Sequence, residues 1–443
     1  MAKYIKENLN VDRFAVARDK DGIDRRGFLE CMAWAGTGVI WTMAGGVLKS
    51  QAFDGLLGGG SGASGGEFSF AQISDSHMGF NKAANADVAG TFRAAIAKID
   101  ALPNAPAFLL HTGDISHLSK PSEFDTVDQI LRGGRTKDVH FVPGEHDVLG
   151  DDGAQYRERY GKGTKGDGWY SFDYKGAHFI GLVNVVNLKA GGLGQLGAEQ
   201  LEWLEDDVKR FGSSTPIVVF AHIPLWSIYP EWGWGTDDAA QALGYLKKFG
   251  SVSVLNGHIH QTLQKVEGNV TFHTAMSTAF PQPAPGTAAS PGPMTVPADR
   301  LRSVLGITSV NFLRGQHSLA IVDSPLSAES GGNAHPMADH SMMAAGGGAG
   351  IKTVAAKGAG EVKVGIDNFN FTPKDLTVSA GTRVIWVNHD DVPHTVTSDE
   401  KKFASKALDT DDQFSFTFND AGTFPYFCKI HPRMTGIVTV KAA

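Results

Sequence analysis

Five short motifs carry most of the side chains in this chain that are able to do chemistry: Asp75-Ser76-His77, Gly113-Asp114, Gly144-Glu145-His146-Asp147, Ala221-His222 and Gly257-His258-Ile259-His260. Carboxylates and imidazoles are ligands for hard and borderline cations. Asp75, His77, Asp114, Glu145, His222, His258 and His260 together offer a dinuclear metal site. The competing reading makes them satisfied core histidines and capping aspartates. Their positions argue against it, because each motif lies where an apolar, β-branched run ends. The runs are Phe68 to Ile73, Ala107 to Leu110, Val139 to Val142, Ile217 to Ala221 and Val252 to Leu255, and they read as buried strands. In open α/β sheets the loops at the carboxyl ends of strands converge on one crevice, however distant they are in sequence.

A second set lies near the carboxyl end. Cys428-Lys429-Ile430-His431-Pro432-Arg433-Met434 supplies thiolate, imidazole and thioether in one tight loop, and His394 can add a second imidazole from upstream. Two histidines, a cysteine and a methionine form a blue-copper ligand set. The only other cysteine, Cys31, falls in a segment expected to be removed, so no intramolecular disulfide would remain. A lone thiol is a liability in an oxidising compartment unless something such as copper occupies it. Alternating segments at Leu376 to Ser379, Val384 to Val387, Phe414 to Phe418 and Ile437 to Val440 read as strands of a small sandwich. His389, in the turn before His394, reads as a surface residue.

The order and spacing of the first five motifs resemble the calcineurin-like metallophosphoesterases, from about Glu67 to about Asp323. The carboxyl-terminal segment resembles the cupredoxins, particularly the short-loop amicyanin- and plastocyanin-like members, with Phe369-Asn370-Phe371-Thr372-Pro373 and Gly422-Thr423-Phe424-Pro425-Tyr426 before the cysteine. These resemblances imply an α/β metallophosphoesterase sandwich, with mixed β-sheets flanked by helices, followed by an all-β cupredoxin sandwich. They also imply that Asp75, His77 and His260 hold the first metal, that Asp114 bridges, and that Glu145, His222 and His258 hold the second. His146 becomes the outer catalytic group, and Asp147 is expected to orient its imidazole. Two cations can neutralise phosphoryl oxygens that repel a nucleophile, and can convert bound water to hydroxide near neutral pH. Glu145 stands where the family usually has asparagine. Three carboxylates, Asp75, Asp114 and Glu145, then face the cations, which favours a harder or more highly charged metal. Manganese, iron or zinc, divalent or mixed-valence, are the candidates, with one copper in the second domain.

The amino terminus resembles a twin-arginine export signal: Asp24-Arg25-Arg26-Gly27-Phe28-Leu29 precedes a mildly apolar, uncharged run from Met32 to Leu48, and Ser50-Gln51-Ala52 offers a cleavage site. The expected location is periplasmic or extracellular, with no stable membrane anchor after cleavage. An uncleaved transmembrane anchor is the alternative, weakened by the glycines in the run. The organisation read from composition is a signal region over 1–52, a Gly/Ser linker over 53–66, the phosphoesterase domain over 67–326, a linker over 327–360 and the cupredoxin over 361–443. The second linker carries His335, Met337, His340, Met342 and Met343, which fit either a copper-capturing tract or a biased spacer.

At 443 residues, 42% hydrophobic and 20% charged, the chain can fill two cores, and its net charge of -7 argues against general nucleic-acid binding. Leu196 to Phe211 has the spacing of a surface helix. Trp226, Tyr229, Trp232 and Trp234 are candidates to wall a substrate pocket, Pro281 to Pro297 is expected to be irregular chain near the metals, and Arg157 and Arg159 are candidates for a second phosphate. The resulting expectation is an exported phosphoesterase, with a phosphodiester favoured over a monoester and a branch-level likeness to cyclic-nucleotide phosphodiesterases. Its partners are a small phosphoester and a redox or copper-donor protein. The alternative is a copper electron-transfer or delivery protein that uses the phosphoesterase fold as a scaffold. Blue copper moves electrons and hydrolysis needs none, so the sequence offers no chemical reason for the two domains to cooperate.

Overall fold

The computed structural model describes residues 39–44, 47–52, 68–313, 318–327 and 360–442. Arg25, Arg26, the 53–66 linker and nearly all of 327–360 lie outside the described residues. Val39–Ala44 pairs antiparallel with Val47–Ala52. No helix among the described residues is long and apolar enough to cross a membrane.

Two sheets form the centre of the first domain. One runs in the order Ser318–Pro325, Gly306–Leu313, Phe68–Ile73, Leu109–His111 and Val139–Phe141, with the last three parallel. The other runs Gln264–Glu267, Val270–Thr274, Val252–Asn256, Ile217–Phe220, Ala177–Gly181 and Tyr170–Tyr174, parallel across its middle and antiparallel at both edges. Their facing surfaces are cemented by Phe68, Phe70, Phe108, Phe179, Phe220 and Phe312. Burial of each such ring contributes on the order of 1.5–3 kcal/mol. Helices cover the outer faces. Val88–Asp100 starts where the Asp87 carboxylate accepts from Gly90 N at 2.8 Å, and turns Val88, Phe92, Ala95 and Ile99 inward. Ala198–Lys209 buries Leu201, Leu204 and Val208 on the other side, as the spacing of that segment predicts.

The parallel strands share a direction, so their carboxyl ends, and every one of the five motifs, emerge along one edge. The predicted runs match the strands to within two residues at each end, because continuous apolar β-branched sequence can be satisfied only between two covering layers.

The second domain packs a sheet of Asn370–Thr372, Glu361–Asp367, Thr382–Asn388 and Gln413–Phe418 on another of Asp375–Ser379, Thr435–Lys441, Gly422–Phe427 and Thr397–Ser398. Trp386, Phe403, Phe418 and Tyr426 fill the space between them. His394 is tied on each side to Leu408 by backbone hydrogen bonds, and the turn after Phe427 brings Cys428 beneath it.

Candidate metal centres

The motif loops hold one another through the backbone. Asp75 N donates to Gly113 O at 3.0 Å, His77 N to Asp114 O at 2.9 Å and His258 N to the Asp75 carboxylate at 3.0 Å. Asp75, His77, Asp114, His258 and His260 all adopt left-handed backbone, with φ of 52°, 38°, 50°, 71° and 55°. That conformation costs about 1–2 kcal/mol for an L-residue, and aspartate and histidine are among the types that tolerate it best. Gly257 has no alternative at its position, since a Cβ there would stand 2.0 Å from Ser74 Oγ and 2.6 Å from Asp75 Oδ2.

This framework brings all seven ligand candidates together. His260 Nε2 lies 3.3 Å from Asp75 Oδ1 and 3.1 Å from His77 Nε2. Glu145 reaches two imidazoles at once, with Oε1 2.8 Å from His258 Nδ1 and Oε2 2.9 Å from His222 Nε2. Between the two groups, Asp114 Oδ2 sits 3.4 Å from both His77 Nε2 and His222 Nε2.

The proton positions fit a cation. His222 Nδ1 faces Thr112 O at 2.7 Å and His260 Nδ1 faces Phe280 O at 2.6 Å. A carbonyl only accepts, so each Nδ1 carries a proton and each Nε2 is directed into the cluster, the arrangement that orients metal-bound histidine. His222 Nε2, Glu145 Oε2 and both nitrogens of His258 are buried without an aligned hydrogen bond. Burial opposes charge on His222, yet Asp114 and Glu145 hold its imidazole well above the ordinary value; burial likewise opposes charge on Glu145, which His258 and His222 hold well below its own. Convergent imidazoles and carboxylates of this kind suit divalent or trivalent metals, which would displace the remaining protons.

His146 lies beside this cluster, its ring 4.6 Å from that of His77 and its Nδ1 2.8 Å from His117 O. The expected orienter, Asp147, does not touch that imidazole. Its carboxylate accepts from Ile115 N, Ser116 N, Ser116 Oγ and Gly144 N at 2.8–3.0 Å, which locks the Asp114 loop to the Glu145 loop. Burial and the neighbouring Asp114 push the Asp147 carboxyl up to about 7, against the pull of those donors. The carbonyl of His117 is the orienting group.

In the second domain His394 Nδ1 and His431 Nδ1 lie 3.7 and 3.8 Å from Cys428 Sγ and 3.2 Å from each other. Met434 is buried in the same loop, its carbonyl accepting from Cys428 N at 3.0 Å. Asp390 Oδ2 accepts from His394 Nε2 at 2.8 Å, which holds the proton on that nitrogen and leaves Nδ1 for a metal. Thr395 N and His431 N donate to the sulfur at 3.3 and 3.4 Å. Burial raises the Cys428 pKa, but His394 and these donors outweigh it and lower the thiol below its ordinary value. Nδ1, Nδ1 and Sγ facing one another fit a copper ion.

Among the lesser candidates, Tyr229 and Trp232 line a cleft of about 350 Å³ that reaches His258, and Trp232 and Trp234 line a smaller cavity over the cluster. Trp226 packs on Phe272 instead. Arg157 is held by Asp152 O, and Arg159 by Asp125 and Pro121 O; neither lines these cavities. Pro291 and Pro293, from irregular chain, do. His389 is exposed.

Sequence reasoning missed how close the two centres lie. Copper-loop residues touch the first domain directly: Gly191 N donates to Pro432 O at 2.6 Å, Arg433 Nη1 to Gly191 O at 2.7 Å, and Lys429 pairs with Asp152. The His431 ring stands 6.4 Å from that of His146.

Comparison with known proteins finds two families along the chain. The family model described as calcineurin-like phosphoesterase matches residues 68–262, and that described as a cupredoxin-like domain matches 342–440. An amicyanin of Paracoccus versutus is 37% identical over 88 residues, which are 19% of this chain and 67% of that protein. A 3′,5′-cyclic-nucleotide phosphodiesterase of Nostoc sp. is 24% identical over 225 residues, 48% of this chain and 79% of the relative. The crystal structure of a dimetal phosphatase from Danio rerio is 16% identical, covers 58% of this chain and 98% of its own, and superposes with a TM-score of 0.41. The cluster of aspartate, glutamate and histidine thus sits in a calcineurin-like phosphoesterase domain, and the chain joins that domain to a C-terminal member of the cupredoxin family.

Proposed function

We propose that this chain is an exported phosphodiesterase whose dinuclear site is formed by Asp75, His77 and His260 on one side, Glu145, His222 and His258 on the other, and Asp114 shared. The observation that carries the reading is the convergence of seven carboxylate and imidazole side chains, among which His222 Nε2, Glu145 Oε2 and both nitrogens of His258 are buried without an aligned hydrogen bond. When bound, two metals would shield the phosphoryl oxygens and lower the pKa of coordinated water. The protein supplies the rest. The 350 Å³ cleft, walled by Tyr229 and Trp232, has room for a small ester with a flat leaving group. The His117 carbonyl holds the Nδ1 proton of His146, so Nε2 is the nitrogen able to serve the substrate; protonated, it donates to a phosphoryl oxygen or to the departing alkoxide. The Asp147 carboxylate keeps the Asp114 and Glu145 loops in register, which fixes the distance from His146 to the metals.

Glu145 supplies a third negative charge and uses both oxygens, which favours iron or manganese over zinc at its position. The Arg25-Arg26 motif and the apolar run after it support export by the twin-arginine route, and cleavage after Ala52 is checked by sequencing the amino terminus of the secreted protein.

The activity is tested by hydrolysis of bis(p-nitrophenyl) phosphate against p-nitrophenyl phosphate, after loading with manganese, iron or zinc, with and without copper. Metal-dependent turnover of the diester is expected to exceed that of the monoester. The converging His394, Cys428 and His431 favour one other reading, a copper electron-transfer or delivery protein on a phosphoesterase scaffold. Absence of turnover with every metal would establish it in place of the first.

A further inference from the structure

We propose that the copper site and the dinuclear site exchange an electron through His431 and His146, so that the cupredoxin domain sets the oxidation state of the hydrolytic centre. This rests on the assignment of the two metal sites made above. Of the copper-ligand candidates, His394, Cys428 and Met434 are buried, and only His431 is partly exposed. It is therefore the edge through which that site meets anything outside its own domain.

That edge faces the phosphoesterase domain. The His431 ring stands 6.4 Å from the His146 ring, and the His146 ring stands edge-on to His77 at 4.6 Å. His77 Nε2 in turn lies 3.4 Å from the shared Asp114 carboxylate. One small cavity is lined by His431 together with His77, Asp114, Glu145, His146 and His258, so the two sets of ligands border the same gap. Phe369 closes the side, its ring 4.7 Å from His431 and 5.2 Å from His394.

The contact is made by the copper loop itself. Lys429, Pro432 and Arg433 flank His431 in sequence and bind Asp152 and Gly191, while Lys82 and Asp409 add a looser pair at 3.8 Å. A covalent link between the domains keeps their effective concentration high, so contacts that would be transient between separate proteins persist.

The electron balance is simple. Copper(I) is oxidised to copper(II) while a trivalent iron or manganese held by Glu145, His222 and His258 is reduced to the divalent state, and no bond is broken. Three carboxylates around the dinuclear site favour a metal able to hold the higher charge, whereas zinc cannot take part. Hydrolysis consumes no electron, so the transfer switches the centre and is not part of turnover.

The test uses the full chain loaded with iron(III), with and without copper, mixed anaerobically with ascorbate in a stopped-flow instrument. With copper present, ascorbate is expected to bleach the copper–thiolate band, and iron(III) then disappears in a fast phase that tracks recovery of that band as copper(I) is reoxidised; the copper-free chain loses that phase. A His146→Ala variant keeps ascorbate bleaching of copper and loses the fast iron phase. Equal iron reduction rates with and without copper would overturn the proposal, as would a chain that takes up zinc alone. Diester hydrolysis by the same samples separates the two ideas: turnover without copper-dependent iron reduction rejects this inference only, and no turnover with any metal rejects the hydrolase reading itself.

Discussion

The two candidate metal centres are built by opposite strategies. The donors of the proposed dinuclear site are spread from Asp75 to His260 and meet only because two sheets bring five strand ends to one edge, with five donors in left-handed backbone. The copper donors are one upstream histidine and a single seven-residue loop from Cys428 to Met434, closed on itself by the Cys428 N to Met434 O hydrogen bond. The first site is a product of tertiary packing, so its strain and buried charge are borne by the whole domain. The second is nearly local and is tied to the segment carrying His394, which forms an isolated bridge to Leu408 and not a strand. Damage should therefore spread within the dinuclear site and stay confined in the copper site.

The largest effect is expected from Asp114→Ala. Its carboxylate is equidistant from His77 and His222, so both metals should be lost together and hydrolysis should fall to background, while the copper visible band is unchanged. Metal content per chain reads this directly; loss of only one metal would show that Asp114 is not shared. His146→Ala should leave both metals in place and lower kcat by about 10²–10⁴-fold, the usual scale for removing a positioned acid or base. If metal content falls as well, His146 belongs to the metal framework.

These residues were legible because their chemistry is in their side chains and because strand ends announce themselves through apolar runs. What was not legible lies in geometry. Asp147 follows His146 directly, but Glu145–Val148 is a 3₁₀ turn with about three residues per turn, so neighbouring side chains diverge and Asp147 points back to Ile115 and Ser116. His117 acts through its carbonyl, which every residue possesses, and leaves no mark in the sequence. Asp390 was overlooked because a carboxylate four residues before a histidine looks like any other surface turn until Nε2 is seen to face it. Docking of the two domains rests on Gly191, Asp152, Lys429 and Arg433, ordinary surface residues with no pattern.

Asp390→Asn tests how local the copper site is. The amide retains an acceptor for His394 Nε2 but not the charge, and loss of an outer partner of this kind typically weakens metal binding by about 10–100-fold. Copper competition titration measures the loss, and hydrolysis of the diester by the copper-free protein should be unaffected. Glu145→Asn probes the other centre. A shorter amide presents one oxygen and one NH2 where Glu145 presents two oxygens to His222 and His258, so the preference among iron, manganese and zinc should shift toward zinc. An unchanged order of metal retention would show that the extra charge has no bearing on selection.

The smallest expected effect comes from a residue outside both centres and separates fold stability from site chemistry. Burial raises the Asp207 pKa, but hydrogen bonds and charge from His178, with Ser171 and Arg210, outweigh it and hold the carboxyl below its usual value. A carboxyl with a depressed folded pKa contributes stability that is present above its unfolded value, near 3.9, and is lost as pH falls through the folded one. Asp207→Asn should therefore lower stability by about 1 kcal/mol at pH 7, a value reduced for the partial exposure of the group. The gap between variant and unchanged protein should begin to close below about pH 4, where the unfolded carboxyl gains its proton, and vanish once the pH falls below the depressed folded value. Denaturant unfolding at several pH values reads the gap, and at pH 7 the metal content of both sites should equal that of the unchanged protein. A gap independent of pH would mean that Asp207 acts through packing on Ser171 and His178 and not through its charge.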